Sequence, residues 1–339
     1  MPKLRVAVVM GGRSSEHEVS LASARSVLEA LDPARYEAVT VEIGRDGRWE
    51  LGSGSLGELE RHSRSAAETL PVTTSNVPAT LAGVDVVFPV LHGPFGEAGT
   101  VQGLLELADV PYVGAGVTAS ALCMDKDLFK SILRDKGIPV TRSVTLRSPN
   151  GFENPFGFPV FVKPARLGSS VGISKARGKD ELRAAIQLAF RHDEKVLVEE
   201  FVTGVEVECS VLGNEEPIAS IPGEIVANAD WYDYSSKYDD GGMDLVIPPR
   251  IPQEAIERVQ ELSVAAFRAT ECEGMARADC FVRGDGEVLI NELNTIPGFT
   301  ATSVYAKLFE ASGIPYEELL ERLVQLALDR HERRSRLKF

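Results

Sequence analysis

The stretch from Arg277 to Asn294 constrains the fold most, because it has the pattern of a β-hairpin. An Asp-Gly pair at positions 285 and 286 divides two runs of strand-forming residues, and Asp-Gly is a strong signal for a tight two-residue turn. Position 284 then faces position 287, which puts Asp279 opposite Glu292 and Arg277 opposite Asn294. Because side chains alternate between the two faces of a strand, these four share one face.

The facing acids Asp279 and Glu292 predict a cation site. Directly opposed Cβ atoms lie only ~4.5–5.5 Å apart, and like charges at that distance destabilise a sheet. Carboxylate and amide oxygens, here with Asn294, are the ligands that Mg²⁺ prefers. The alternative is the solvated polar face of a surface hairpin, where such charges contribute little. The other motifs of the chain are needed to choose between these two interpretations.

Composition limits the class of protein. With 339 residues, 44% hydrophobic and 25% charged, the chain is an ordinary globular protein with room for two or three domains. A net charge of −14 argues against nucleic-acid binding, because no basic excess would neutralise phosphates. The cysteines have no CxxC spacing, and no apolar run is long enough for a signal sequence or a membrane span. We therefore expect a soluble cytoplasmic protein with reduced thiols.

The first 120 residues have the pattern of a parallel α/β unit. An apolar run at positions 6–10 predicts a strand buried on both faces, followed by Gly11-Gly12 and a helix with Glu18 in its first turn. Glu18 either favours the helix dipole or binds a substrate ammonium. A second buried strand ends at His92, which is either a structural histidine or part of a ligand-binding loop. The absence of GxGxxG disfavours a nicotinamide oxidoreductase.

The middle of the chain predicts a phosphate site and a lid. A predicted strand ends in Lys163, and a Gly/Ser-rich loop at positions 168–172 follows it. Such a loop can cover a polyphosphate with its N–H groups and hydroxyls, although it can also be a simple hairpin tip. The Walker pattern is missing, so a P-loop enzyme is disfavoured. The loop at 231–242 carries three tyrosines and Lys237, which is typical of a lid.

Together these segments resemble the D-alanine–D-alanine ligase family of the ATP-grasp superfamily. The resemblance runs from position 6 to about position 328 through six ordered motifs, at 11–21, 92–97, 124–126, 162–172, 232–238 and 277–295. It implies α/β and α+β architecture. A Rossmann-like parallel-sheet domain (1–120) would precede two α+β ATP-grasp lobes, a central one with the phosphate loop (121–200) and a C-terminal one with the lid and metal site (201–339).

The resemblance implies ATP-dependent ligation of two D-alanine molecules for peptidoglycan synthesis. ATP would convert one carboxylate to an acyl phosphate, which the amino group of the second D-alanine attacks, releasing ADP and phosphate. Two Mg²⁺ or Mn²⁺ ions and a homodimer are implied, and activation by a monovalent cation stays open. Neither nucleic acid nor membrane is an expected partner.

The resemblance also assigns roles to individual residues. The ATP phosphates would be bound by Lys126, Lys163, Ser169, Ser170 and Lys237. The adenine and ribose would be held by Glu199, Glu200, Phe201, Val202 and Glu206. The metal ions would be bound by Asp279, Glu292 and Asn294.

The substrate contacts are implied in the same way. Glu18 would bind the first ammonium, and His92 would lie near the first carboxylate. Arg277 and the N–H of Gly298 would stabilise the tetrahedral oxyanion. Ser303 and Lys237 would bind the second carboxylate. A hydrogen-bonded triad would close the site against water, and it comprises Glu18, Ser169 and Tyr238.

One position bears on specificity, and two others depart from the family's usual residues. Tyr238 stands where relatives that make D-alanyl-D-lactate have histidine, which favours a dipeptide product. Ala98 replaces a usual aspartate, and Leu167 stands where some relatives have glutamate; neither change removes a catalytic group. The alternatives are a D-lactate or D-serine ligase of the same superfamily, and a non-catalytic nucleotide-binding regulator.

Overall fold

A computed structural model describes residues 2–52, 81–227 and 243–338. The first sheet has the strand order β3-β2-β1-β4, and β1 pairs in parallel with both β2 and β4. Its elements are β1 (Leu4–Gly11), α1 (His17–Ala30), β2 (Tyr36–Ile43), β3 (Trp49–Gly52), β4 (Val86–Pro89) and α2 (Thr100–Leu107). The central residues of β1 are fully buried, as the continuous apolar run predicted.

The second sheet is antiparallel, with the order β5-β8-β6-β7. Two helices, α3 (Val117–Met124) and α4 (Lys126–Asp135), lead into it. Its elements are β5 (Ser143–Leu146), β6 (Val160–Pro164), β7 (Ser174–Ala176), α5 (Lys179–Ala189) and β8 (Val196–Glu200). The Gly/Ser-rich loop joins β6 to β7, so it sits at one end of this sheet.

The third sheet has six described strands, ordered β12-β11-β9-β13-β14 with β10 paired to β9. Its strands are β9 (Gly204–Gly213), β10 (Ile218–Ala219), β11 (Gly223–Ala227), β12 (Met243–Val246), β13 (Gly274–Arg283) and β14 (Val288–Asn294). Its helices are α6 (Gln253–Ala269), α7 (Val304–Ala311) and α8 (Tyr316–Ser335). The three sheets give the α/β and α+β architecture that the sequence predicted. The lid motif at 232–238, with Lys237 and Tyr238, lies outside the described residues.

The turn of the β13–β14 hairpin differs from the prediction. Arg283, rather than position 284, faces Glu287: the Arg283 N–H donates to the Glu287 carbonyl at 2.9 Å, and the Gly286 N–H donates to the Arg283 carbonyl at 2.9 Å. The loop therefore has three residues, with Gly286 at φ +87°, the usual left-handed position in such a loop. The two-residue turn was wrong, and this loop alone would place Asp279 opposite Asn291.

A β-bulge next to Asp279 restores the predicted register at the site. The strand pairing shifts directly after Asp279, so that Asn291 is an extra residue in β14. Beyond the bulge, Asp279 faces Glu292 and Arg277 faces Asn294, which confirms both predicted pairs. Bulges of this kind re-aim side chains and are frequent next to active sites.

Helix α8 packs against both the first sheet and helix α7. Its apolar residues share one hydrophobic cluster with β1, β4 and α7. Arg330 is buried in this contact and donates to the carbonyl oxygens of Tyr112, at 2.6 Å, and Gly114. Its guanidinium lies 4.3 Å from the centre of the Tyr112 ring, a cation–π distance. Although α8 has 20 residues, none of the helices in the described ranges is long and apolar enough to cross a membrane.

Candidate active site

A cavity of about 550 Å³ opens where the three sheets meet. The loop after β1, the loop after β4, the Gly/Ser-rich loop, the β13–β14 hairpin and the start of α7 all contribute to its wall. The predicted site residues that line it are Glu18, His92, Lys126, Ser169, Arg277, Glu292, Asn294, Gly298 and Ser303. Segments far apart in the chain thus converge on one cavity.

Glu16, not Glu18, makes the predicted hydrogen bond to the phosphate loop. The Ser169 hydroxyl donates to Glu16 Oε1, and Glu16 is only 8% exposed. The Glu18 side chain is 75% exposed and pairs with Arg45 at 3.0 Å. The difference follows from the helix start, because α1 begins at His17 and Glu16 precedes its first turn. The assignment of the Ser169 contact to Glu18 is therefore corrected to Glu16.

The loop after β4 packs closely on Glu16. Gly93 has φ +75°, and a Cβ there would lie 2.5 Å from Glu16 Oε2, so only glycine fits. The Gly93 N–H donates to Glu97 Oε2 at 3.1 Å. Burial raises the pKa of Glu97 well above its usual range, and the neighbouring carboxylate of Glu16 raises it further. Glu97 was part of a predicted motif but had no predicted role.

His92 is buried in this wall as a neutral ring. Its Nδ1 lies 2.9 Å from the carbonyl oxygen of Ile296, which can only accept, so Nδ1 carries the proton. Its Nε2 accepts from the Ser23 hydroxyl at 3.1 Å. Burial lowers the pKa of His92, an effect only partly offset by Glu16. His92 therefore ties together three segments of the wall and faces the cavity without a charge.

The hairpin carries the acidic part of the site. Arg277 Nε donates to Asp279 Oδ1 at 2.7 Å, and a second guanidinium nitrogen donates to Asp279 Oδ2 at 2.8 Å. Arg277 Nε also lies 3.0 Å from Glu208 Oε2 on β9. The Asn294 Oδ1 accepts the Ile296 N–H at 3.2 Å, which shapes the chain after the hairpin. Of these residues, Glu208 was not predicted.

This donor set fits a hard divalent cation. In the described part of the chain, no three His, Cys, Asp or Glu side chains form a ready-made metal cage. Mg²⁺ needs no such cage, since it commonly uses one or two protein carboxylates and completes its shell with water and phosphate. Asp279 and Glu292 face each other across the hairpin and could provide those two carboxylates.

Lys126 links the hairpin to the phosphate loop. Its Nζ donates to the Leu167 carbonyl at 2.7 Å and lies 3.5 Å from Glu292 Oε2. Lys126 is the first residue of α4, and Asp125 caps that helix by accepting the Leu128 N–H at 3.2 Å. An ammonium between an acid and a phosphate-loop carbonyl is well placed for an anionic ligand.

A buried chain of charges lies behind the phosphate loop. Glu199 Oε2 pairs with Lys163 at 2.6 Å and Glu199 Oε1 pairs with Lys130 at 3.3 Å. Lys130 Nζ also donates to Thr141 Oγ1 at 2.5 Å and to the carbonyl of the bulge residue Asn291 at 2.9 Å. The Asn291 side chain in turn accepts from Lys163 at 3.3 Å. The carboxylate of Glu199 thus pairs with two lysines in the structure.

Lys130 was missed, although it lies four residues after Lys126 and hence on the same side of the helix. Lys130 is fully buried. Burial lowers its pKa to about 8 despite the carboxylate of Glu199, which acts in the opposite direction. Its partners come from β8, from β14 and from the segment before β5. Only the folded chain brings these three segments together around Lys130.

The residues predicted to bind adenine and ribose lie at the end of β8, in the connection to β9 and near the start of β9. Glu200 points away from Glu199 and accepts from Arg142 Nε at 2.8 Å. Desolvation opposes ionisation of Glu200, but the hydrogen bonds from Arg142 outweigh it and lower its pKa. The remaining members of this group are Phe201, partly buried, Val202, buried, and Glu206, partly buried.

The start of α7 forms the opposite wall. Ser303 directly precedes α7, and its Oγ accepts the Thr300 N–H of the preceding loop at 2.9 Å and lies 2.8 Å from Thr300 Oγ1. Gly298 and Ser303 both line the cavity.

Ser170, adjacent to Ser169, has φ +58°, and the two serines form the bend at the tip of the phosphate loop.

Comparison with known proteins gives matches along nearly the whole chain. A family model described as "D-ala D-ala ligase N-terminus" matches residues 5–115, and one described as "D-ala D-ala ligase C-terminus" matches residues 132–325. The chain is 42% identical to a D-alanine–D-alanine ligase of Geobacillus thermodenitrificans, with 99% of each chain covered. It is 46% identical to a D-alanine–D-alanine ligase A of Chromobacterium violaceum, with 97% of this chain and 96% of the relative covered.

Solved structures agree with these matches. The D-alanine–D-alanine ligase from Coxiella burnetii superposes with a TM-score of 0.85 at 37% identity, covering 98% of this chain and 97% of that one. The VanG D-Ala:D-Ser ligase from Enterococcus faecalis gives a TM-score of 0.87 at 38% identity, covering 96% and 100%. The Bacillus anthracis D-alanine–D-alanine ligase complexed with ATP gives 0.79 at 31% identity, covering 98% and 100%.

Proposed function

This chain belongs to the D-alanine–D-alanine ligase family, and we propose that the cavity between its three sheets is where it joins two D-alanine molecules. The family uses ATP for this ligation in peptidoglycan synthesis. The observation that carries the proposal is the hydrogen bond between Ser169 and Glu16. It ties the first sheet to the phosphate loop directly over the cavity, so that substrate and ATP groups can meet there.

Glu16 takes the ammonium of the first D-alanine in this proposal. It has one carboxylate oxygen engaged by Ser169 and its second beside Gly93, at the edge of the cavity. A carboxylate is the natural partner of an ammonium group, because the hydrogen bond between them is charge-assisted. His92, neutral and facing the same cavity, limits the space next to the first carboxylate.

The phosphates of ATP are proposed to lie between the phosphate loop and the hairpin. Lys126 and Lys163 supply positive charge, and the loop with Ser169 and Ser170 supplies N–H and O–H donors. Asp279, Glu292 and Asn294 would hold two Mg²⁺ or Mn²⁺ ions. When bound, such ions offset the charge on the phosphates during transfer.

The acyl transfer is proposed to use the opposite wall. Arg277 and the N–H of Gly298 would stabilise the oxyanion of the tetrahedral intermediate, usually a large contribution to catalysis. Ser303, with Lys237 of the lid motif, would take the second carboxylate. Tyr238 would complete the hydrogen bonds of Glu16 and Ser169. Exclusion of water matters here, because an acyl phosphate hydrolyses readily.

The adenine and ribose are proposed to bind along the β8–β9 connection. Glu206 remains the proposed ribose ligand. Because the carboxylates of Glu199 and Glu200 pair with lysines and with Arg142, we assign their backbone groups, with Phe201 and Val202, to the base. This replaces the expected contact between the Glu199 carboxylate and the adenine amine.

A product assay tests the proposal. The purified protein is incubated with ATP, Mg²⁺ and D-alanine, and phosphate release and dipeptide formation are followed together. We expect phosphate release to depend on D-alanine and to equal D-alanyl-D-alanine formed. ATP consumption without dipeptide would contradict the proposal.

A D-alanine–D-serine ligase is the second candidate, favoured by the structural match to the VanG D-Ala:D-Ser ligase. Competition between D-alanine, D-serine and D-lactate for the second site distinguishes the candidates. A main product containing D-serine or D-lactate would displace our choice.

We also propose that the enzyme is a homodimer acting in the cytoplasm, as the family resemblance implies. Analytical ultracentrifugation tests the first point, with a single species of twice the 36.7 kDa chain mass as the expected result. Activation by K⁺ is open to the same phosphate assay, run with and without the ion.

A further inference from the structure

Glu208 is an acidic residue of the cavity to which the proposed reaction gives no role. It lies on β9 directly opposite Asp279 of β13, and Asp279 in turn lies opposite Glu292 of β14. Directly opposed residues of neighbouring strands point to the same face of a sheet. Three carboxylates therefore form one row, and the row has one acid more than the predicted pair.

Arg277 lies between two acids of this row. Its hydrogen bonds to Asp279, at 2.7 and 2.8 Å, use both carboxylate oxygens, and its Nε lies 3.0 Å from Glu208 Oε2. A guanidinium and a divalent cation repel each other when both contact the same carboxylate. Metal binding by Asp279 and the present position of Arg277 are therefore in competition.

Arg277 needs an anionic partner wherever it lies. Its side chain is only 15% exposed, and a buried charge that loses its partner is strongly destabilising. An arginine guanidinium stays protonated in proteins. The guanidinium is therefore charged, and Glu208 is the second carboxylate within its reach.

We infer that Glu208 holds Arg277 in the cavity when a divalent cation binds Asp279. Glu208 is then a positioning residue: it keeps the guanidinium where the oxyanion forms and lets Asp279 turn to the metal. This inference rests on the proposed roles of Asp279 and Arg277. It assigns the third acid of the row to the arginine rather than to the metal.

Glu208→Gln tests the inference, because it keeps the shape and a hydrogen-bond acceptor but removes the charge. Mn²⁺ binding is measured by electron paramagnetic resonance with ATP present and D-alanine absent, so that no ligation takes place. We expect Mn²⁺ affinity to fall about tenfold, the size of one charge-assisted hydrogen bond, because Arg277 then stays on Asp279. In the ligation assay kcat should fall while KM for D-alanine changes little.

A double-mutant cycle shows whether Glu208 acts through Arg277. In an Arg277→Met background there is no guanidinium to hold, so Glu208→Gln should have almost no further effect on Mn²⁺ affinity. An equal loss in both backgrounds would mean that Glu208 acts on the metal directly and would overturn the inference. Unchanged Mn²⁺ affinity in the single variant would overturn it as well.

Glu224→Gln is the matched control. Glu224 is also a buried acid of the third sheet and pairs with Arg250 at 2.6 Å, but it does not line the cavity. Its substitution should leave both Mn²⁺ affinity and kcat unchanged. If Glu208→Gln does not fold, Glu208→Asp, which withdraws the charge by one methylene, takes its place in the cycle. A wild type that binds Mn²⁺ but forms no dipeptide would refute the proposed function and leave the Mn²⁺ result interpretable.

Discussion

Two glutamates at the start of α1 give the sharpest test of the site, because sequence and structure assign them differently. Glu16 is 8% exposed and accepts from Ser169, whereas the Glu18 side chain is 75% exposed and meets only Arg45 among its ion pairs within the described residues. Replacing each by glutamine removes one charge and almost no volume. The two variants therefore differ only in where the charge is lost.

The magnitude follows from the contact that each charge can make. A hydrogen bond between charged groups contributes roughly 1.5–3 kcal/mol, and glutamine at position 16 still accepts from Ser169 but no longer pairs with an ammonium. Since every 1.4 kcal/mol is a factor of ten, kcat/KM for D-alanine should fall by roughly 10- to 150-fold in Glu16→Gln. Glu18→Gln loses an exposed pair, which salt and solvent already screen, and should stay within a factor of two or so of the wild type.

The assay is initial-rate phosphate release at saturating ATP and Mg²⁺, with D-alanine varied over both binding sites. Circular dichroism melting of each variant controls for loss of fold. An equal loss of kcat/KM in Glu18→Gln and Glu16→Gln, or wild-type rates in both variants, would refute the role of Glu16 in binding the ammonium.

Three further perturbations follow from buried charges. Burial raises the pKa of Glu97, so the folded protein binds this proton more tightly than the unfolded chain and loses stability as pH rises above the usual glutamate pKa. In urea unfolding, Glu97→Gln should therefore be more stable than the wild type at neutral pH and should lose that advantage near pH 4. Burial lowers the pKa of Lys130 to about 8. The wild type should therefore gain stability relative to Lys130→Met as pH rises from about 8 towards 10.5, by up to about 3 kcal/mol. Parallel curves of unfolding free energy against pH for the two proteins would contradict this. Arg330→Met removes the donor to the buried carbonyls of Tyr112 and Gly114 and should lower the free energy of unfolding in urea by about 2–4 kcal/mol. The matched change at an exposed arginine, Arg336→Met, should lower it little.

The hairpin shows how local patterns predict a site better than they predict the chain path. Asp-Gly and the alternation of side chains led to the right pairs, Asp279 with Glu292 and Arg277 with Asn294. The pairs are right although the predicted chain path is not, because two differences from it cancel. The loop is one residue longer than predicted, and the bulge at Asn291 shifts the strand pairing back by one residue. Bulges depend on how a strand twists against its neighbours, and neither periodicity nor turn composition contains that information.

The residues that the sequence missed are those whose partners are distant in the chain. Glu16 and Glu18 belong to one motif and both line the cavity, and only the start of α1 at His17 decides which of them reaches Ser169. Glu208 is significant because β9 pairs with β13, a neighbour relation that no local pattern gives. The contacts of Lys130 span more than 150 residues along the chain, as with Asn291, so only the fold brings them together.

The grouping of the hydrophobic residues has a consequence for how the second sheet can move relative to the other two. The first and third sheets share one apolar cluster through α8, while the second sheet and α5 have a cluster of their own. Helix α4 packs with the third sheet. A hinge motion that exposes little apolar surface would therefore move the second sheet, with Lys163 and the phosphate loop, relative to the first and third sheets. The pair between Lys130 and Glu199 crosses that boundary, so a motion that separates α4 from β8 would stretch a buried ion pair. Such a motion would work against this buried ion pair as well as against the hydrogen bond between Glu16 and Ser169.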